Sequence, residues 1–246
     1  MSVNCSSIEL SVSTADEIRN GCIKIWHGVT ESLSDFYHPL FALLNTEEQD
    51  AAVCYHREAD KIRYVIQHGV LRLLLSRQLN LSAVEITFRV NQNGKPYLRV
   101  AKEHTLFFNL SNSAGHFLIA IGDVDLGVDL EKIAPAFEWQ DIAARYFCAA
   151  ELDYINKAPN PTEAFFLLWT RKEALLKACG MGIDDNLPGV PALDGLHHLP
   201  GNYPEKSLQT RSFTISPNLM AGITYPSTGR SLTLVRIDTA YVEALL

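Results

Sequence analysis

The sequence predicts an α+β fold, a pseudo-duplicated arrangement of two halves over residues 1–123 and 124–246, each a small antiparallel sheet packed with a long helix. Two observations predict it. Each half carries one long stretch of helical spacing and about three strand-like runs. The segments FFNLSNSAGHFLIAIG and SFTISPNLMAGITYP also follow a loosely common pattern, as a duplicated unit would leave. Chance recurrence of hairpins leaves the same pattern.

In chain order, TEEQDAAVCY opens the first helix, where Thr46 and Gln49 fit a capping box. A longer helix is expected from about Arg57 to Leu79, because Ile62, Ile66, Val70 and Leu74 recur near helical spacing, and Asn80 is its stop. VEITFRV alternates with strand period, NQNGKP is turn chemistry, and TLFFNLS and HFLIAIG are strand candidates. The second half opens with a strand from Val124 to Glu131, followed by the helical stretch QDIAARYFCAAELDYI. After the break at APNPTEAF, a long helix is expected from Thr162 to about Cys179. The Gly- and Pro-rich run from Gly180 to Pro204 reads as irregular loop, and SFTISP, MAGITYP and SLTLVRI close the chain as strands.

Composition excludes several classes. A net charge of −7 argues against broad nucleic-acid binding, which needs a surplus of Lys and Arg. No apolar run approaches the roughly 20 residues of a membrane span. The cysteines at 5, 22, 54, 148 and 179 form no CxxC pair, which with the absence of a signal-like start points to a reducing, cytoplasmic setting.

Two stretches carry chemistry. In LGVDLEKI, Asp129 and Glu131 are two apart in a strand and share one face. Burying two like charges together costs several kcal/mol unless a cation sits between them. In WTRKEALLKACGMGI, Trp169, Glu173 and Lys177 are four apart and form one helical stripe, with Lys172 on its flank; Gly180 and Gly182 end the helix. Exposed pairs on a surface helix and a strand edge would give the same letters. Taken together, three carboxylates with all-oxygen chemistry suit Mg²⁺, while the lysines suit phosphate; no His/Cys spacing points to zinc.

GVDLEKI and WTRKEALLKACGMG resemble the two signature motifs of the 4'-phosphopantetheinyl transferases, of the surfactin-synthetase-activating type. Upstream, GKPYL and FNLSNS resemble that family's G-K-P loop and F-N-L-S-H-S strand end. The resemblance implies a cleft between two α+β halves where the phosphopantetheine arm of coenzyme A passes to a serine of an apo carrier protein, releasing adenosine 3',5'-bisphosphate. It implies that Asp129, Glu131 and Glu173 are Mg²⁺ ligands, with Lys177 on the coenzyme diphosphate and Lys172 lining the same pocket. Lys95 would reach the coenzyme's phosphates or nucleotide edge, Arg63 its 3'-phosphate, and Ser111 a phosphate. Asn112 stands where the family has His, exchanging a possible cation for a neutral donor and costing about 1–2 kcal/mol of binding. Glu173 is the candidate base for the serine proton, directly or through water, so Glu173, Lys177 and Asp129 form the catalytic set.

The alternative is a family-like module that binds coenzyme A or carrier without turnover, with Asn112 as its mark; retention of all three acids and both lysines favours the enzyme. A third possibility, a different Mg²⁺ enzyme acting on another nucleotide diphosphate, is disfavoured by the four motifs occurring jointly. Expected partners are an acyl carrier protein or a carrier domain of a polyketide or nonribosomal peptide synthase, with neither nucleic acid nor membrane. FEWQDIAARYF is the candidate docking stretch, and a complete cleft in one chain implies a monomer. His116, His197, His198, Cys148, Cys179, Trp26, Trp139, Asp184 and Asp185 read as structural or loop residues.

Overall fold

The computed structural model describes residues 8, 10–12, 18, 21–99, 106–182, 187–197, 207–226 and 229–246. Strands β1 (Ser11–Val12) and β2 (Cys22–Val29) come first, followed by a 3-10 turn and helices α1 (Tyr37–Ala42), α2 (Thr46–Val53) and α3 (Glu58–Leu79). The short strands β3 (Phe88–Val90) and β4 (Pro96–Leu98) form a hairpin, and β5 (Phe107–Ser113) and β6 (His116–Gly122) form another. Strand β7 (Gly127–Lys132) leads to α4 (Gln140–Tyr146), α5 (Ala149–Lys157) and α6 (Pro161–Cys179). Strands β8 (Leu196–His197), β9 (Leu208–Ser216), β10 (Leu219–Pro226) and β11 (Ser231–Arg236) follow, and α7 (Thr239–Leu245) ends the chain.

Local chemistry sets these boundaries. Asn80 leaves α3 in the left-handed conformation at φ 53°, and Gly180 does the same for α6 at φ 67°. Asn160 caps α6 by accepting from Glu163 N, with Pro161 at the first turn. The capping box of α2 uses Asn45 and Glu48, one residue upstream of the predicted Thr46 and Gln49, because Asn45 holds the extended backbone that a cap needs. QDIAARYFCAAELDYI forms two helices, broken where Phe147 and Cys148 turn extended. Only the last three residues of VEITFRV are strand. The predictions at Cys5, His198, Asp184 and Asp185 lie outside the described residues.

The first sheet has the order β1-β11-β2-β6-β5, and the second β7-β10-β9-β8. The second is antiparallel, but the first departs from expectation: β11 lies between β1 and β2 and runs parallel to both. A hairpin can join only antiparallel neighbours, whereas a strand returning after a long excursion can insert parallel. Thus the chain's last strand joins the sheet built mostly by the first half, and α7 follows it; Trp26 donates from Nε1 to the Tyr241 hydroxyl at 2.8 Å.

The layers follow from strand alternation. On one face of the first sheet, Trp26, Phe117, Ile119 and Ile121 pack with the α3 residues Ile66, Val70 and Leu74. On the other, Ile23, Ile25, Leu118 and Ala120 meet Val128, Leu130, Ala221 and Ile223 of the second sheet. The even residues of β7 are thereby committed to the core between the sheets. Its odd residues, Gly127, Asp129 and Glu131, are left facing α6. At Gly127 an added Cβ would lie 2.1 Å from the Ala174 carbonyl oxygen, so glycine is what lets α6 lie against the strand.

Candidate functional site

The edge strands β5 and β7 of the two sheets meet without a backbone ladder. Alternate side chains of β5 take its place: Asn109 Oδ1 accepts from Val128 N at 2.8 Å, Ser111 Oγ from Leu130 N at 3.2 Å, and Ser113 Oγ from Lys132 N at 3.1 Å. The two serines also donate to the acids of β7, Ser111 to Asp129 Oδ1 at 2.8 Å and Ser113 to Glu131 Oε2 at 2.9 Å. This seam opens into a cavity of about 330 Å³ lined by Leu110, Ser111, Asn112, Asp129, Glu131, Trp169, Glu173 and Lys177. The stripe Trp169, Glu173 and Lys177 therefore does face the two strand acids.

Lys177 Nζ donates to Asp129 Oδ1 at 2.6 Å and to Ser111 Oγ at 3.0 Å. Burial first, then the charge of Asp129, pushes the Glu173 carboxyl up to about 7, against the pull of Lys177. Burial and Asp129 also raise Glu131 above the ordinary carboxylate range. Asp129 Oδ2 and Glu173 Oε1 are buried without a hydrogen-bond partner.

Among the described residues, no three acid, imidazole or thiol groups already close on one point as a metal cage. The residues nonetheless fit a hard divalent cation. Two orphaned buried carboxylate oxygens and a third acid line one cavity, and each would gain from a positive charge that one lysine does not fully supply.

Three sequence-predicted coenzyme contacts are not brought to this cavity. Lys172 is wholly buried on the far side of α6: its ammonium lies 2.8 Å from Glu151 and donates to the carbonyls of Leu187 and Val190. Adjacent helical residues point about 100° apart, so Glu173 at the cavity turns Lys172 into the core. Lys95 donates to the carbonyls of Leu126 and Ala178 at 3.0 and 3.4 Å, closing the last turn of α6. Arg63 is 41% exposed on α3 and pairs with Asp60 at 2.8 Å. Conversely, sequence reasoning missed Asn109 and Ser113, although their spacing of two from Ser111 already put all three on one strand face.

The two larger sheets of this α+β chain, with three acids and a lysine gathered at their seam, define a protein with an acidic cleft at a sheet–sheet junction. The chain belongs to the 4'-phosphopantetheinyl transferase family. The model of the 4'-phosphopantetheinyl transferase superfamily matches residues 125–215, and that of the 4'-phosphopantetheinyl transferase N-terminal region matches residues 26–124. The chain is 31% identical over 166 residues to the 4'-phosphopantetheinyl transferase HetI of Nostoc sp., covering 65% of this chain and 70% of HetI. It is 34% identical over 152 residues to slr0495 of Synechocystis sp., covering 61% of this chain and 62% of slr0495. With the 4'-phosphopantetheinyl transferase Sfp of Bacillus subtilis it shares 31% identity over 131 residues, 52% of this chain and 56% of Sfp. Its match thus spans a little over half to about two thirds of these relatives' lengths.

Proposed function

We propose that this chain transfers the 4'-phosphopantetheine arm of coenzyme A to a serine of an apo carrier protein, with Mg²⁺ and with release of adenosine 3',5'-bisphosphate. The observation that carries this reading is the convergence of Asp129, Glu131, Glu173 and Lys177 on one cavity, with two acid oxygens buried and unpartnered. The names of the relatives, HetI and Sfp among them, support the same transfer.

Asp129, Glu131 and Glu173 would hold the Mg²⁺. When bound, that ion supplies positive charge to the coenzyme's diphosphate. The remaining chemistry belongs to the chain. Glu173, which lines the cavity beside Lys177, is placed to take the proton from the carrier serine, directly or through a water. The serine oxygen then bonds to the phosphorus of the pantetheine phosphate. The bond from that phosphorus to the bridging oxygen breaks, and its electron pair leaves on the adenosine bisphosphate. Lys177, at the rim with its side chain 27% exposed, neutralises charge on the phosphate oxygens. Asn112, exposed at the mouth, offers a neutral donor there.

The finer reading is of a surfactin-synthetase-activating type, with two pseudo-duplicated halves over residues 1–123 and 124–246. It acts as a monomer in the cytoplasm on carriers of fatty-acid, polyketide or nonribosomal peptide synthesis. Incubation with coenzyme A, Mg²⁺ and an apo carrier, followed by the carrier's mass, tests the activity. A gain equal to the phosphopantetheine arm is expected. Carrier binding without that gain would leave a binding module instead.

A further inference from the structure

We infer that Ser113 is a positioning residue for Glu131, distinct from the neighbouring Ser111 that touches both Asp129 and Lys177. The inference deepens the proposed function and rests on it. Its ground is the construction of the seam. Three alternate side chains of β5 substitute for the carbonyls a strand partner would offer, and each accepts one N–H of β7: Val128, Leu130 and Lys132. An unpaired edge N–H has to find an acceptor, so this stitching fixes the register of β7 against β5.

Within the seam the three residues differ in what they do next. Asn109 accepts from the backbone and, among the described residues, bonds to no acid of the cavity. Ser111 donates to Asp129, which is also held by Lys177. Ser113 donates to Glu131 at 2.9 Å, and the described bonds of the Glu131 carboxylate contain no lysine or arginine. Glu131 is half-buried and shares its strand face with the like charge of Asp129. A hydroxyl whose lone pair is fixed by Lys132 N has its proton directed at Oε2. It therefore holds this acid in one rotamer with its other oxygen free for a cation. Partners of this kind, behind a metal-binding carboxylate, typically change metal affinity by about 10–100-fold when removed.

The test uses the full chain with coenzyme A present, and reads Mg²⁺ affinity by calorimetry beside the melting temperature. Ser113→Ala is expected to bind Mg²⁺ about tenfold more weakly, and Ser113→Thr, which keeps the hydroxyl, to bind as wild type does. Asn109→Ala loosens the seam without touching an acid and is expected to keep wild-type Mg²⁺ affinity even if its melting temperature falls. Unchanged affinity in Ser113→Ala would overturn the inference. So would equal loss in Ser113→Thr, which would make the space and not the hydroxyl responsible, or equal loss in Asn109→Ala, which would make the seam responsible. Failure of the wild type itself to bind Mg²⁺ with coenzyme A would instead sink the proposed function.

Discussion

Lys177 of α6 sets its ammonium 2.6 Å from Asp129 of β7, closing a bond between the helix and the strand edge of the second sheet. The pair is only partly desolvated: the lysine side chain is 27% exposed and the aspartate 6%. Its cation is the one positive charge among the described residues lining the cavity, opposite three acids. Lys177→Ala should therefore leave a folded protein and lower kcat/KM for phosphopantetheine transfer by about 10²–10³-fold, the scale of losing one preorganised charge at a phosphate. Steady-state kinetics together with circular dichroism check both halves of that expectation. A tenfold or smaller loss in kcat/KM would mean that Lys177 serves the fold and not the phosphate.

Lys172 should behave in the opposite way. Its ion pair with Glu151 is sealed from water, and Glu151 also accepts from Cys148 N and Ala192 N. The pair thereby ties the segment at 187–192 to α5 and α6. Removing one member of a buried pair strands the other charge, at a cost of about 3–5 kcal/mol. Lys172→Ala should lose that much stability in urea denaturation, while the folded fraction keeps its KM for coenzyme A. A raised KM with unchanged stability would return Lys172 to the coenzyme.

The reasons these two lysines differ bear on what a sequence can carry. Helical period alone puts residues 169, 173 and 177 on one stripe and 172 about 100° away, so the facing of Glu173 and Lys177 was legible from letters. The partner of Lys172 was not, because Glu151 lies 21 residues upstream on another helix and only the tertiary fold brings them together. The same divide runs through the fold. The ends of α3 and α6 were readable because Asn80 and Gly180 solve a local backbone problem. The sheet that β11 joins was not, since either sheet could have paired an alternating strand, and long-range packing decides. The alternation at 109, 111 and 113 was in the sequence, but its meaning requires knowing that a second sheet edge runs beside it.

His27 and His116 give the fold a pH dependence away from the cavity. Their rings stack with centroids 5.3 Å apart, and Nε2 of His27 lies 3.1 Å from Nδ1 of His116. Burial, then His116 and Arg236, push His27 down to about 4. An unfolded histidine takes its proton near 6.5, so between pH 6.5 and about 4 the unfolded state binds more protons than the folded one. The His27 contribution to stability is therefore full above pH 6.5 and is lost as the pH drops through that window. Allowing for partial solvent access, the loss is about 1–2 kcal/mol. Because the raised Glu173 carboxyl acts with the opposite sign over the same range, the check is the difference in urea midpoint between wild type and His27→Gln from pH 4.5 to 7.5, which should shrink as the pH falls.

Gly127 is where packing and chemistry meet. It shares the face of Asp129 on β7, and the backbone of α6 rests on it: a Cβ there would lie 2.1 Å from the Ala174 carbonyl oxygen and 2.3 Å from Ala178 N. Neither atom is the tip of a flexible side chain, so Gly127→Ala has to lift the helix off the strand. That part of the helix carries Glu173 and Lys177. The expected stability loss is about 1–3 kcal/mol. The expected loss in kcat is larger than that figure implies, because the displaced turn holds the acid and the cation of the site. Gly189→Ala supplies the comparison, since its Cβ would meet nothing within 4 Å. It should leave melting temperature and kcat close to wild type. Were Gly127→Ala to retain wild-type turnover at a lowered melting temperature, the close approach of α6 to β7 would be a requirement of folding alone and not of the site.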